Sequence, residues 1–129
     1  MDNVKTVFEN VSKATNDQEK VDALRNGVFP IKDLLRYVYD SAPSELTVPE
    51  YNKRDPSDTE GNISFETVVQ DFRYLLNKKI PADSREVLLK KFLEGLTADG
   101  ADLLTAIITK NIPNLSKEVV NQAFPGLIP

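Results

Sequence analysis

Apolar residues recur along most of this chain at the spacing of one helical face, and a single long stretch breaks the rhythm. Val4, Val7, Phe8, Val11 and Ala14 share such a face, which predicts a first helix from about Asn3 to Ala14. Thr15 or Asn16 can cap a second, short helix with Glu19 a turn inside, Val21 and Leu24 pointing inward and Asn26-Gly27 as its stop. After Pro30, which a first helical turn tolerates, Ile31, Leu34, Leu35 and Val38 make a third stripe that ends by Ser41-Ala42-Pro43.

From residue 43 to residue 62 the pattern fails, because Pro43, Pro49, Pro56 and Gly61 interrupt it and only Leu46-Thr47-Val48 has extended character. A loop of this length in a small domain is expected to be functional or mobile. Ser64 then caps a fourth helix whose Phe65, Val68, Val69, Phe72, Leu75 and Leu76 form the strongest apolar stripe in the chain, so the centre of the core is expected there. Pro81 breaks it, and Asp83 with Glu86 reads as the start signal of a fifth helix filled by Val87, Leu88, Leu89, Phe92, Leu93 and Leu96, apolar on more than one side. Thr97 caps a sixth helix with Asp99 and Asp102 near its positive end and Leu103, Leu104, Ile107 and Ile108 inward; it ends before Pro113. Ser116 caps a last helix carrying Val119, Val120, Ala123 and Phe124, closed by Pro125-Gly126. The expectation is an all-α, compact bundle of about six to seven helices, folded as a single domain over residues 1–129 with one long loop at about 43–62.

Composition supports a folded chain: 40% hydrophobic and 28% charged residues are ordinary globular values. Neither Cys nor His occurs, which removes disulfides, thiolate chemistry, the usual zinc ligands and the usual general base near neutral pH. No basic leader or membrane-length apolar run is present, so a cytoplasmic protein with no membrane partner is expected.

Charge sharpens the picture through its distribution. The net charge is −4, which opposes nonspecific adhesion to polyanions. Yet eight acids face only Lys53 and Arg54 between Asp40 and Asp71, whereas Phe72 to Lys91 holds six bases against Asp83 and Glu86. Arg73, Lys78, Lys79, Arg85, Lys90 and Lys91 are thus the best electrostatic footprint for a phosphate backbone, set against the plainer reading of helix ends and solvent faces.

Nothing in the pattern brings two carboxylates onto an apolar face, no glycine-rich phosphate cradle occurs, and Asp55 to Gly61 lacks the ligand order of a calcium loop. No catalytic residue, cofactor, metal or small-molecule substrate is expected, and the chain reads as a non-enzymatic binding module. Tyr37 and Tyr39 are expected to straddle the core boundary with their hydroxyls wet rather than to stack on bases.

Leu103 to Pro129, LLTAIITKNIPNLSKEVVNQAFPGLIP, resembles the end of the helical N-terminal DNA-binding domain of phage-type ATP-dependent DNA ligases, most specifically in Phe124-Pro125-Gly126-Leu127-Ile128-Pro129. Small proteins of tailed phages share this ending. Upstream, Ile31 to Asp40 resembles the family's Leu-Leu-x-x-x-Tyr helix, and Phe65 to Leu76 can stand for its central helix. The resemblance implies a phage-encoded protein of the host cytoplasm that binds double-stranded DNA, with Lys110, Ser116 and Lys117 at the turn and last helix start that approach the backbone. Where the family has Arg-Asp-Leu and then glycine, this chain has Thr109-Lys110-Asn111 and Asn114. The adenylated lysine of a ligase, in its Lys-x-Asp-Gly setting, belongs to a domain that this sequence does not include, so no ligation is implied for it. The competing expectation is an accessory or virion module without nucleic-acid binding, which offers its acidic proline-rich loop and the apolar Leu127-Ile128 to a basic protein partner.

Overall fold

The computed structural model of the protein describes residues 3–27, 31–40, 46–75 and 80–129, the side chains of Arg73 and Tyr74 excepted. Among these residues there are seven helices and no strand: α1 Val4–Lys13, α2 Asp17–Arg25, α3 Ile31–Tyr39, α4 Phe65–Leu75, α5 Ala82–Gly95, α6 Ala98–Ile108 and α7 Lys117–Ala123. The all-α class read from the periodicity is what the chain adopts. None of the described helices is long and apolar enough to cross a membrane. Contacts divide the chain into two compact units, Met1–Pro43 with Lys110–Pro129, and Ser44–Thr109.

In the first unit α1 packs on α2 and α2 on α7. Of the two residues expected to cap α2, Asn16 does so by accepting from the Glu19 amide at 2.9 Å, and the Asn3 side chain caps α1 by accepting from the Thr6 amide at 2.9 Å. Glu19 reaches back to the Thr15 amide at 2.9 Å, so the start of α2 satisfies its orphan donors reciprocally. Val4, Val7, Phe8 and Val11 of α1, Leu34, Leu35 and Val38 of α3, and Val119, Val120 and Ala123 of α7 are buried. Pro30 and Ser41-Ala42-Pro43, which were expected to delimit α3, lie outside the described residues.

The segment between α6 and α7 is fixed by backbone conformation. Asn114 adopts φ 61°, in the left-handed region where glycine is at ease and asparagine is the next best residue. From there its Nδ2 donates to the carbonyls of Val11 at 2.8 Å and Ala14 at 3.0 Å, closing the C-terminal end of α1. The turn conformation that a glycine would supply is therefore present without one. At the other end of α7, Arg25 donates from Nε to the Ala123 carbonyl at 3.0 Å and from Nη2 to that of Gln122 at 3.2 Å, a cation placed where the helix dipole is negative.

Phe124 is the C-cap of α7 rather than its last helical residue, and Gly126 turns the chain at φ 78°. Asn121 then grips Ile128 from both sides, accepting from its amide at 2.9 Å and donating to its carbonyl at 3.1 Å. Ile128 is buried and Leu127 half-buried. An apolar tail free to meet a partner, as the protein-partner expectation required, is thus corrected: Ile128 belongs to the core of its own unit.

In the second unit α5 packs on α6, and Phe65, Val68, Val69, Phe72 and Leu75 of α4 are all buried, as their spacing predicts. Leu76 lies outside the described residues. Thr97 caps α6 by accepting from the Gly100 amide at 3.2 Å. Pro81 stands at the N-cap of α5 with no side-chain cap, so Asp83 acts from inside the first turn through the dipole and not as the helix start.

Candidate functional site

The surface that gathers unassigned polar and apolar groups lies within the second unit, where residues 52–63 wrap the C-terminal end of α5. A helix leaves its last carbonyls without intrahelical partners, and here the loop supplies the donors. The Asn62 and Ile63 amides donate to the Gly95 carbonyl at 2.7 and 3.2 Å. Arg54 donates from Nε to the Glu94 carbonyl at 2.9 Å and from Nη1 to Asp58 at 2.9 Å. The Asn52 amide donates to the Glu94 carboxylate at 3.0 Å, and Lys53 is ion-paired with Asp102 on α6.

The loop's own acids are turned inward on its turns. Asp58 Oδ1 accepts from the amides of Gly61 at 2.9 Å and Glu60 at 3.1 Å, and these bonds, with the Arg54 guanidinium, hold its carboxyl below the usual range. Asp55 accepts from the Ser57 amide at 2.8 Å and hydroxyl at 2.7 Å, with the same effect. The hydrogen bond to Asp102 raises the Lys53 ammonium correspondingly. This stretch was expected to be a mobile acidic loop; instead it is bonded along its length to α5, α6 and itself. The reason is an arginine and two glycines whose tertiary partners no local pattern reveals.

Between this loop and α5 runs an open groove of about 610 Å³, with Arg54 and Ile63 on one wall and Val87, Lys90, Lys91 and Glu94 on the other. Lys90 also borders a second recess of about 580 Å³, beside Pro49, Glu50 and Tyr51. Val87, one of the apolar residues that make α5 apolar on more than one side, is 69% exposed. Leu89, Phe92 and Leu93 take the buried side of α5, which leaves Asp83, Val87, Lys90 and Lys91 at helical spacing on the outer side.

The residues expected to contact phosphate fall into separate groups. Lys90 and Lys91 are adjacent and exposed on α5, and neither has an ion-pair partner among the described residues. Arg85, earlier on the same helix, is half-buried and engaged with a neighbour. Arg73 lies on α4 with its side chain outside the description, and Lys78 and Lys79 lie outside the described residues. Lys110, Ser116 and Lys117 belong to the first unit. Lys110 adopts φ 58° and places its ammonium 4.8 Å from the centre of the Tyr37 ring. The Ser116 hydroxyl is occupied as the cap of α7, accepting from the Val119 amide at 3.3 Å, while Lys117 beside it is exposed and without an ion-pair partner among the described residues.

Tyr39 departs from the wet hydroxyl that was expected. Its OH donates to the Leu115 carbonyl at 3.1 Å, and burial pushes its pKa up to about 12. Four contributors to the groove, Arg54, Ile63, Val87 and Glu94, were not among the sequence candidates. The helical wheel of α5 could have found Val87, since it falls on the side of Lys90 and Lys91; Arg54 carries no local signal. Compared with known proteins, the chain matches no protein-family model and no curated protein.

Proposed function

We propose that this chain is a binding module with no chemistry of its own, and that it holds the phosphate backbone of double-stranded DNA with lysines left uncompensated by the fold. The observation that carries this reading is selective pairing. Lys5, Lys20, Arg36, Lys53 and Arg54 each have a carboxylate partner, whereas Lys90, Lys91 and Lys117, like Lys13 and Lys32, have none among the described residues. An ammonium in water with no internal partner is free to replace a condensed counterion on DNA, which is the source of nonspecific affinity. The likeness of Leu103 to Pro129 to phage-type ligase DNA-binding domains supports the same reading, and with it a phage-encoded protein of the host cytoplasm.

A net charge of −4 keeps the affinity modest and strongly salt-dependent. A basic protein partner has less support, because Asp55 and Asp58 are engaged within the loop and Ile128 is buried. Titration of labelled nicked and intact duplex at low salt tests the proposal: saturable binding at or below about 100 μM, falling steeply with added salt, is expected. No measurable binding in that range removes it.

A further inference from the structure

We infer that the groove between α5 and the 52–63 loop is a docking site for an acidic peptide segment of a protein partner, one that presents an aliphatic or aromatic side chain between carboxylates. The inference goes beyond the DNA reading, although it shares Lys90 and Lys91 with it.

The argument starts from Val87. It is 69% exposed on a helix whose Leu89 and Leu93 are buried, and it stands at the rim of a groove of about 610 Å³ whose opposite wall carries Ile63. A phosphate backbone gains nothing from two aliphatic side chains, whereas an apolar side chain removed from water gains in proportion to the area covered. Lys90 and Lys91 stand beside Val87 at one-turn spacing and have no ion-pair partner among the described residues, so two ammonium groups are available to carboxylates flanking the apolar residue.

Of the remaining charges of the groove, Arg54 suits this occupant and Glu94 limits where its acids can lie. The Arg54 guanidinium is engaged with Asp58 and the Glu94 carbonyl, which fixes the wall in place and leaves the free positive charge to the lysines. Glu94 accepts the Asn52 amide at 3.0 Å, which ties its carboxylate to the loop, so the acids of the peptide are spaced toward Lys90 and Lys91. Because Lys90 also borders the recess at Pro49 to Tyr51, an extended segment has room to continue past it.

The test uses the full chain and fluorescein-labelled peptides in which aspartates and glutamates surround one central leucine, beside a control with serine in place of that leucine. The leucine peptide is expected to bind about tenfold more tightly than the serine control, the ratio set by burying one aliphatic side chain. Lys90→Glu with Lys91→Glu should weaken it at least about tenfold, as two repelled charges require. Val87→Ser, at an exposed position, should weaken the peptide about fivefold and leave binding of nicked duplex DNA unchanged. Equal affinity for the leucine and serine peptides overturns the inference, because it reduces the interaction to bulk charge. A loss of DNA affinity in Val87→Ser as large as the loss for the peptide overturns it as well, because the groove would then be part of the nucleic-acid surface. If the peptide binds as expected and DNA does not bind at all, the inference stands while the DNA reading falls.

Discussion

A Cβ built on Gly61 would stand 2.8 Å from the main-chain oxygen of Gly95, inside the contact that joins the loop to the end of α5. Gly61 also adopts φ 66°, where side chains other than glycine and asparagine are strained. Gly61→Ala is therefore expected to destabilise the protein by about 2 kcal/mol, combining left-handed strain with a displaced hydrogen-bonded carbonyl. Gly95→Ala meets only the Ile63 methyl, at 2.7 Å, and gains helix propensity, so its cost should be smaller. Urea denaturation of both variants checks the order; equal midpoints would mean that the loop does not press on α5.

Acid should loosen the same loop before the helices unfold. Asp58 and Asp55 have carboxyls held below their ordinary value, so their contribution is present above the ordinary carboxylate range and is lost as pH falls through their depressed values. Amide exchange at Asn62 and Ile63, followed as pH is lowered and corrected for intrinsic rate, should rise at acid pH in the native protein. Asp58→Asn, which keeps the shape but loses the charge, should show that faster exchange already at neutral pH. An unchanged rate in that variant would refute the role given to Asp58.

Alkaline pH should act on the first unit through Tyr39. Burial pushes its pKa up to about 12, above the ordinary phenol value, so the folded state retains a proton that the unfolded state releases. The corresponding stability is complete below the ordinary phenol range and is lost as pH rises toward the raised value. Tyrosinate absorbance should show one late-titrating group that disappears in Tyr39→Phe. That substitution should also cost about 1 kcal/mol, for the lost bond to the Leu115 carbonyl.

The DNA reading makes a quantitative demand on salt dependence. Each phosphate contact contributes about 0.9 to the slope of log affinity against log salt. Replacing Lys90, Lys91 and Lys117 together by Gln should lower that slope by about 3 if all three lysines touch phosphates. The same change at Lys20, Lys32 and Lys53 should lower it much less, because Lys20 and Lys53 hold carboxylates and Lys32 lies 5.1 Å from the Phe124 ring centre. Equal slopes for the two triple variants would mean that these three lysines do not touch phosphates.

How much of this was legible in the sequence follows from the range of the forces involved. Helical spacing located Val4, Val7 and Val11, or Phe65, Val68 and Val69, because each helix sorts its residues into faces by its own geometry. Caps at Asn16, Thr97 and Ser116 were readable for the same reason, since donor and acceptor lie within one turn of each other. The exposure of Val87 was obscured because α5 is apolar on more than one side, although Val87 falls on the helical side of Lys90 and Lys91.

The sequence by itself determined the helical class, the position of most helices and the uneven distribution of charge, all of which depend on neighbours a few residues apart. Only the tertiary structure decided that Arg54 anchors its loop on α5, that Asn114 closes α1 across an interval of 103 residues to Val11, and that Lys53 pairs with Asp102 while Lys90 and Lys91 have no ion-pair partner among the described residues. Those outcomes rest on contacts between residues far apart in the chain, whose directions are fixed when apolar faces pack and bring distant backbone groups within hydrogen-bonding reach.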